Sequence, residues 1–171
     1  MKKVILLALM GAVMAACGDN KKKQEASTPT EQKSAQPEQP AAVTSNANEA
    51  DIVLESNDQM MFNLKEIKVK EGQKVTLKLV HVGKMSKDVM GHNFVLLKEG
   101  TDIPQFALDA MNAKANDYIP ANTQEVIAYT KMIGGGESTT IIFDAPAKGE
   151  YDFICSFPGH YAMMKGKFIV E

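Results

Sequence analysis

After about residue 50 the chain is made of short runs rich in Val, Ile, Thr, Phe and Leu, and turn-forming residues bound most of them. Such runs are typical of β-strands. In residues 74–81 most apolar and polar side chains alternate, as expected of a strand with one buried face. Strands are predicted at 51–56, 65–70, 74–81, 92–97, 124–129, 138–143, 149–155 and 167–170. About eight short strands predict an all-β domain, a Greek-key sandwich or barrel.

One segment, about 104–116, has the pattern of a helix. Phe106, Ala110 and Met111 lie at helical spacing and give it an apolar face. Asp102 stands near the expected N-terminus, where a carboxylate can accept a hydrogen bond from a free backbone N–H. The predicted fold is therefore a β-sandwich or barrel with one short helical insertion.

Residues 1–16 have the pattern of a targeting segment. Two lysines precede the apolar run 4–13, which is shorter than the roughly 20 residues of a comfortable membrane span. Two alanines then precede Cys17. This arrangement resembles a bacterial lipoprotein signal, in which the cysteine is lipidated and becomes the mature N-terminus. The alternative is an ordinary secretory signal with an incidental cysteine. We expect a lipidated Cys17 and a periplasm-facing protein anchored to the inner or the outer membrane.

Residues 17–49 contain almost no large apolar side chains, and Val43 is the exception. A segment of this composition cannot bury enough surface to offset the entropy lost on ordering. We therefore expect a lipidated Cys17 followed by a flexible linker, with the folded domain at 50–171. Treated as a coil, the linker has an end-to-end distance of roughly 30 Å.

Charge and composition exclude some functions. The net charge is −2, and a nucleic-acid-binding surface is not expected on a chain with so little positive charge. All 19 cationic residues are lysines, so bidentate recognition of phosphate by a guanidinium group is excluded.

A candidate metal site lies near the C-terminus. Cys155, His160 and Met164 fall within ten residues, and a second imidazole, His92, lies far upstream. Two histidines and a cysteine with a weak axial methionine form the ligand set of a type 1 (blue) copper site. We therefore expect one copper ion per chain.

Three other interpretations apply to the same residues. Cys155 and His160 could be a nucleophile and its base, but that leaves Met164 and His92 without a role. The set could hold zinc, although a closed structural zinc site normally has four Cys or His ligands. The two histidines could also be buried structural residues, which is the usual interpretation of a lone histidine.

Residues from about 51 to 171 resemble the azurins, which are bacterial cupredoxins. The resemblance is carried by Ser56-Asn-Asp-Gln-Met60, Val89-Met-Gly-His-Asn93, Val126–Glu137 and Cys155-Ser-Phe-Pro-Gly-His160 through Gly166. It implies a cupredoxin fold and makes Met164, and not Met163, the axial ligand. It also implies a weak contact from the backbone carbonyl of Gly91 and a role for Asn93 in tying the two ligand loops together.

The resemblance further implies an electron carrier without enzymatic activity or a small-molecule substrate. Its transient partners would be c-type cytochromes and periplasmic copper or haem reductases. They would meet an apolar patch around the second histidine, formed by Met60, Met85, Val89, Met90, Met111, Phe157, Pro158 and Ala162. The alternative function is a copper-binding lipoprotein for copper storage, delivery or tolerance.

Some positions depart from the azurin pattern. The positions that match the usual disulfide, Ala50 and Gln73, are not cysteines, so we expect no disulfide. Tyr161 replaces a small residue beside His160. His81 falls where azurins often carry a histidine that is not a ligand, and we expect it to have a packing or surface role.

Overall fold

The computed structural model describes residues 43–171. The expected targeting segment 1–16, Cys17 and most of the expected linker lie outside the described residues. Ten strands are assigned in 43–171: β1 (Val43–Ser45), β2 (Glu49–Asn57), β3 (Met61–Phe62), β4 (Glu66–Val69), β5 (Lys74–His81), β6 (Val95–Leu97), β7 (Val126–Tyr129), β8 (Ser138–Asp144), β9 (Gly149–Ile154) and β10 (Lys165–Val170). The helices are α1 (Lys87–Met90), α2 (Ile103–Ala110) and the 3₁₀-helix Lys114–Asn116.

The strands form two sheets, which confirms the predicted all-β sandwich with a small helical insertion. The first sheet has the order β1-β2-β5-β8, with β3 also paired to β2, and the second has the order β4-β10-β9-β6-β7. The pairs β2–β5 and β4–β10 are parallel, and all other pairs are antiparallel. Alternate residues of β2 and β5 are buried, so the inner faces of the sheets enclose the core.

The two sheets are joined at the end of the sandwich where β2 and β5 finish and β6 begins. We call this the upper end. The ring atom Nε2 of His92, just before β6, lies 2.9 Å from the carbonyl oxygen of Asn57, the last residue of β2. β9 also finishes here and β10 begins here, since Ile154 pairs with Lys165. The loop that contains His92 and the loop that contains Cys155 therefore lie at the same end of the sandwich.

The folded region begins earlier than the predicted residue 50. β1 pairs with β2, with Val43 opposite Ile52, and the side chain of Val43 packs against the core. The turn is closed by Asn46, whose Oδ1 accepts hydrogen bonds from the backbone N–H groups of Asn48 and Glu49, both at 2.8 Å. The one large apolar residue of the expected linker thus contributes to a hairpin.

Gln73, at a position that matches the usual disulfide, links this hairpin to the loop before β5. Its amide nitrogen Nε2 donates to the carbonyl of Asn46 at 2.6 Å, and its Oε1 accepts from the N–H of Lys70 at 2.7 Å. The side chain is buried and both its donor and acceptor have partners. Hydrogen bonds therefore connect these two segments in the region where the azurin pattern has its disulfide.

The predicted helix 104–116 is divided in two. α2 begins as expected, with Asp102 accepting a hydrogen bond from the N–H of Gln105 at 3.1 Å. After Ala110 the backbone hydrogen bonds change from the i→i−4 to the i→i−3 pattern. An example is the 2.9 Å bond from the N–H of Ala113 to the carbonyl of Ala110. The segment ends where Asp117 takes a left-handed backbone conformation. No helix among residues 43–171 is long and apolar enough to cross a membrane.

Candidate metal centre

Three potential metal ligands meet at the upper end of the sandwich. His92 Nδ1, Cys155 Sγ and His160 Nδ1 all lie within 4.8 Å of one another, and all three residues are buried. Sγ is 3.9 Å from the His92 nitrogen and 3.7 Å from the His160 nitrogen. Bonds of about 2.0 to 2.3 Å, the values for Zn²⁺, separate nitrogen from sulfur by about 3.7 Å in a planar trigonal site. The cluster therefore has the size of a three-coordinate metal site.

Each of these side chains is fixed by the backbone around it. His92 exchanges two backbone hydrogen bonds of 2.9 Å with Ile133, next to β7. Cys155 follows β9 directly, and its N–H donates to the carbonyl of Met164 at 2.9 Å. Gly159 has φ +83°, a conformation that other residues rarely adopt, and this allows His160 to turn back toward Cys155.

The tautomer of His92 is set by the contact with Asn57. Because a carbonyl oxygen can only accept, His92 Nε2 donates the proton and Nδ1 keeps its lone pair. That lone pair is on the nitrogen nearest Sγ of Cys155. Sequence reasoning missed this contribution of Asn57, because any residue type at that position could offer its backbone carbonyl.

Burial also controls the protonation of the cluster. It lowers the pKa of His92 and of His160 from 6.5 to about 4, so both imidazoles are neutral at pH 7 and free to bind a metal. Burial raises the pKa of the Cys155 thiol to about 12. The thiol therefore keeps its proton until a metal ion displaces it.

The two adjacent methionines differ sharply in exposure. Met164 is 0% exposed and belongs to the same core cluster as Cys155, whereas the side chain of Met163 is 56% exposed. The N–H of Met164 also donates to the His160 carbonyl at 2.8 Å, which closes the loop between the cysteine and the methionine. The carbonyl oxygen of Gly91 lies 3.9 Å from Cys155 Sγ. Met164 and Gly91 thus lie at the cluster, and Met163 faces away from it.

Asn93 ties the loops of His92 and Cys155 together. Its Oδ1 accepts from the N–H of Ser156 at 2.9 Å, and its Nδ2 donates to Oγ of Ser156 at 2.8 Å and to the carbonyl of Asp117 at 2.9 Å. Asn93 is 0% exposed, so these bonds form without competition from water.

Asp117 extends this network and was not identified from the sequence. Its carboxylate accepts a hydrogen bond of 2.9 Å from the N–H of Met132, while its carbonyl accepts from Asn93. Asp117 and Tyr118 both have left-handed backbones, with φ of 52° and 59°. Two successive strained residues indicate that the surrounding contacts hold this turn in place. An aspartate before a tyrosine carries no signal of this role in the sequence.

His81 is completely buried, so the surface alternative expected for it is wrong. Its ring packs edge-on against His92 at a centroid distance of 4.5 Å. Nε2 of His81 lies 3.2 Å from Asp58 Oδ1, which is an ion-pair distance for a protonated ring, but neither ring nitrogen has a partner in hydrogen-bond geometry. Its place beside His92 agrees with the packing role.

The residues of the expected apolar patch lie on the loops of the upper end, with Met111 on the loop that follows α2. Val89, Met111 and Met85 are 56%, 53% and 40% exposed. Ala162 is exposed, and the other members, Met60, Met90, Phe157 and Pro158, are partly buried. Met60 and Phe157 also pack against the core. The phenyl ring of Phe157 lies 4.6 Å from the ring of His160.

Comparison with known proteins identifies the family. Residues 48–171 match the family model for copper binding proteins of the plastocyanin/azurin family. The chain belongs to this family. It is 52% identical over 125 residues to azurin of Achromobacter denitrificans, covering 70% of this chain and 83% of the relative. Its buried cluster of two imidazole nitrogens and one thiol is suited to hold a single copper ion.

Other relatives extend the comparison. Outer membrane protein H.8 of Neisseria meningitidis is 45% identical over 118 residues, covering 67% of this chain and 63% of that protein. Among solved structures, an azurin of Methylomonas sp. strain J has a TM-score of 0.64 and 34% identity, covering 71% of this chain and 97% of that one. Auracyanin of Roseiflexus castenholzii has a TM-score of 0.64 and 37% identity, covering 71% and 96%. These neighbours agree with the cupredoxin fold.

We expect Asp117→Ala to destabilise the protein by about 1–3 kcal/mol, because a buried N–H of Met132 loses its acceptor. Asp117→Asn is the matched control, since its amide oxygen can accept the same bond and asparagine tolerates the left-handed conformation. Urea unfolding of both metal-free variants measures the difference. Equal stability of the two variants would show that the carboxylate does not hold this turn.

Proposed function

We propose that this azurin-family protein is a periplasm-facing electron carrier without a substrate of its own. The observation that carries the proposal is the buried trigonal cluster of His92, Cys155 and His160 with Met164 beside it. A copper ion held there would cycle between Cu(II) and Cu(I) and so carry one electron. Met164 would be the weak axial ligand, and the carbonyl of Gly91 would add a weak contact.

The protein's own residues supply the conditions that such a cycle needs. Imidazole nitrogens suit both oxidation states of copper, and the thiolate and thioether suit Cu(I). The Asn93 network and the bond to Asn57 hold the loops rigid, so the ligands need to move little when the charge changes. Burial excludes water from the thiolate. Binding requires only that Cys155 gives up its proton.

The same burial argues against the alternative of copper storage or delivery. An exchangeable site would keep its ligands accessible, whereas Cys155 and His92 are 0% exposed and His160 is 4% exposed. An enzyme would need an open coordination position or a second metal site. The chain has three histidines. The one outside the proposed ligand set, His81, is packed against His92.

The natural partners that we propose are c-type cytochromes and periplasmic copper or haem reductases, met transiently at the apolar patch. Electron-transfer complexes have small interfaces, below about 1,200 Å². The flexible thioether side chains of Met85 and Met111 suit brief contact with more than one partner. Exposure of the patch residues at the upper end supports this proposal.

Exchange of the two methionines for leucine tests the carrier function. Met164→Leu replaces the axial thioether with an apolar group; three-coordinate Cu(I) tolerates the loss of this donor better than Cu(II), so the reduction potential should rise. Met163→Leu, the matched control, should leave the potential unchanged, because that side chain faces solvent. Voltammetry of the copper-loaded proteins gives both values. Equal shifts of the reduction potential in both variants would show that Met164 is not a ligand.

A second measurement separates a carrier from a delivery protein. If the copper-loaded protein loses copper to a chelator faster than electrons pass between two copies of the protein, delivery is favoured.

The membrane anchor is a separate part of the proposal. The lipoprotein-like residues before Cys17 and the resemblance to a protein named for the outer membrane support it. We expect the mature chain in membrane fractions to begin at Cys17 and to carry the mass of a diacylglyceryl group, because lipidation precedes cleavage of such signals. Cys17→Ser should release the protein from the membrane. Mass spectrometry of an unlipidated mature chain would contradict the anchor.

A further inference from the structure

Charge is distributed unevenly along the sandwich. The loops of the upper end, residues 57–65, 82–94, 111–119, 130–137 and 155–165, contain six lysines and four carboxylates, a net of +2. The rest of residues 43–171 contains seven lysines and thirteen carboxylate side chains, a net of −6. The domain is therefore negative as a whole but positive at the end that holds the metal cluster.

The carboxylates of the upper-end loops are all occupied by contacts within the protein. Asp58 accepts from the N–H groups of Lys84 and Met85, and Asp88 pairs with Lys114 at 3.2 Å. The other two have backbone partners as well: Asp117 accepts from Met132 and Glu137 from Gly134. Each of these four carboxylates therefore has a partner within the protein, although Asp88 and Glu137 remain exposed.

The lysines of the same loops are largely free. Within the described part of the chain, five of them have no carboxylate at ion-pair distance: Lys65, Lys84, Lys87, Lys131 and Lys165. Asp109, near the end of α2 and two residues before Met111, is also exposed, and it accepts a hydrogen bond from Gln105. Unpaired ammonium groups therefore dominate the charge at this end.

These lysines stand beside the exposed apolar side chains. Lys84 directly precedes Met85, and Lys87 lies on the same short helix as Val89. Nζ of Lys65 donates to the carbonyl of Met163 at 3.0 Å, which brings a third ammonium group to the loop that carries His160. The upper end thus has an apolar centre with a rim of positive charge.

We propose that this surface docks a redox protein whose contact face has an apolar centre and a rim of carboxylates. The proposal rests on the electron-carrier function and specifies the chemistry of the partner. Complementary charge raises association rates by about 10- to 1000-fold and orients the encounter, while a small apolar contact lets the complex separate again. The lysine rim would direct the His160 edge toward an acidic partner and turn the rest of the domain, which has a net negative charge, away from it.

Gold electrodes coated with thiol monolayers provide a defined stand-in for the partner. Three coatings are compared with the copper-loaded chain: methyl-terminated, mixed methyl and carboxylate, and mixed methyl and ammonium. We expect electron exchange at the carboxylate coating to be at least about 10-fold faster than at the ammonium coating in low salt. The difference should shrink toward 1 M salt, where the screening length falls to about 3 Å. Equal rates at both charged coatings would overturn the proposal.

Two double variants with the same change in net charge separate local from overall charge. Lys84→Glu/Lys87→Glu alters the rim, and we expect it to exchange electrons faster at the ammonium coating. Lys98→Glu/Lys148→Glu alters loops outside the upper end and should keep the preference of the unmodified chain. Equal behaviour of both variants would show that net charge alone acts, which would also overturn the proposal.

The methyl coating distinguishes this inference from the proposed function. A copper signal there shows that a variant is folded and redox-active whatever its charge. Loss of the copper signal from the unmodified chain on all three coatings would count against the carrier function itself. A normal signal on the methyl coating with no charge preference elsewhere would contradict only the acidic-partner proposal.

Discussion

The hydrogen bonds between Asn93 and Ser156 connect the two halves of the site. The ligand residues His92 and Cys155 are 63 positions apart in the chain and belong to different loops. The backbone of Ser156 is held by the side chain of Asn93, and both are almost fully buried. Without these bonds, only the pairing of Val95 with Ile154 between β6 and β9 and the core packing would fix the separation of nitrogen and sulfur. The trigonal geometry of the cluster depends on this connection.

Rigid support of this kind explains how a reactive thiol can lie in an apolar core. Burial raises the pKa of Cys155 and lowers those of the two histidines, so the metal-free cluster is uncharged at neutral pH. A copper ion would bring positive charge into a space with one thiolate to balance it. The donors are already placed for that ion by Asn57, Asn93 and Asp117, and the cost of arranging them is met during folding.

Much of the fold and of the site could be predicted from the sequence because the signals are local. Alternating apolar residues predicted β5, and the close spacing of Cys155, His160 and Met164 marked one loop. The choice of Met164 over Met163 came only from the resemblance to azurins, and burial of Met164 now supports it independently. β1 was missed because a three-residue strand around one valine has almost no pattern of its own.

The missed parts depend on contacts between distant segments. The Asn57 carbonyl sets the tautomer of His92 across 35 positions, and every residue type has such a carbonyl. Asp117 acts through a turn whose strain appears only in the folded backbone. The lysine rim could not be predicted either, because its members come from separate loops. The sequence shows a net charge of −2 and does not show that the upper end is positive.

The central claim is that Cys155 and two histidines form a type 1 copper site. A visible spectrum of the purified protein after addition of Cu(II) tests it most directly, because a copper–thiolate bond in this geometry absorbs intensely. We predict a strong thiolate-to-copper band in the unmodified chain and its complete loss in Cys155→Ser. A protein that binds Cu(II) but stays colourless under oxidising conditions would contradict the claim.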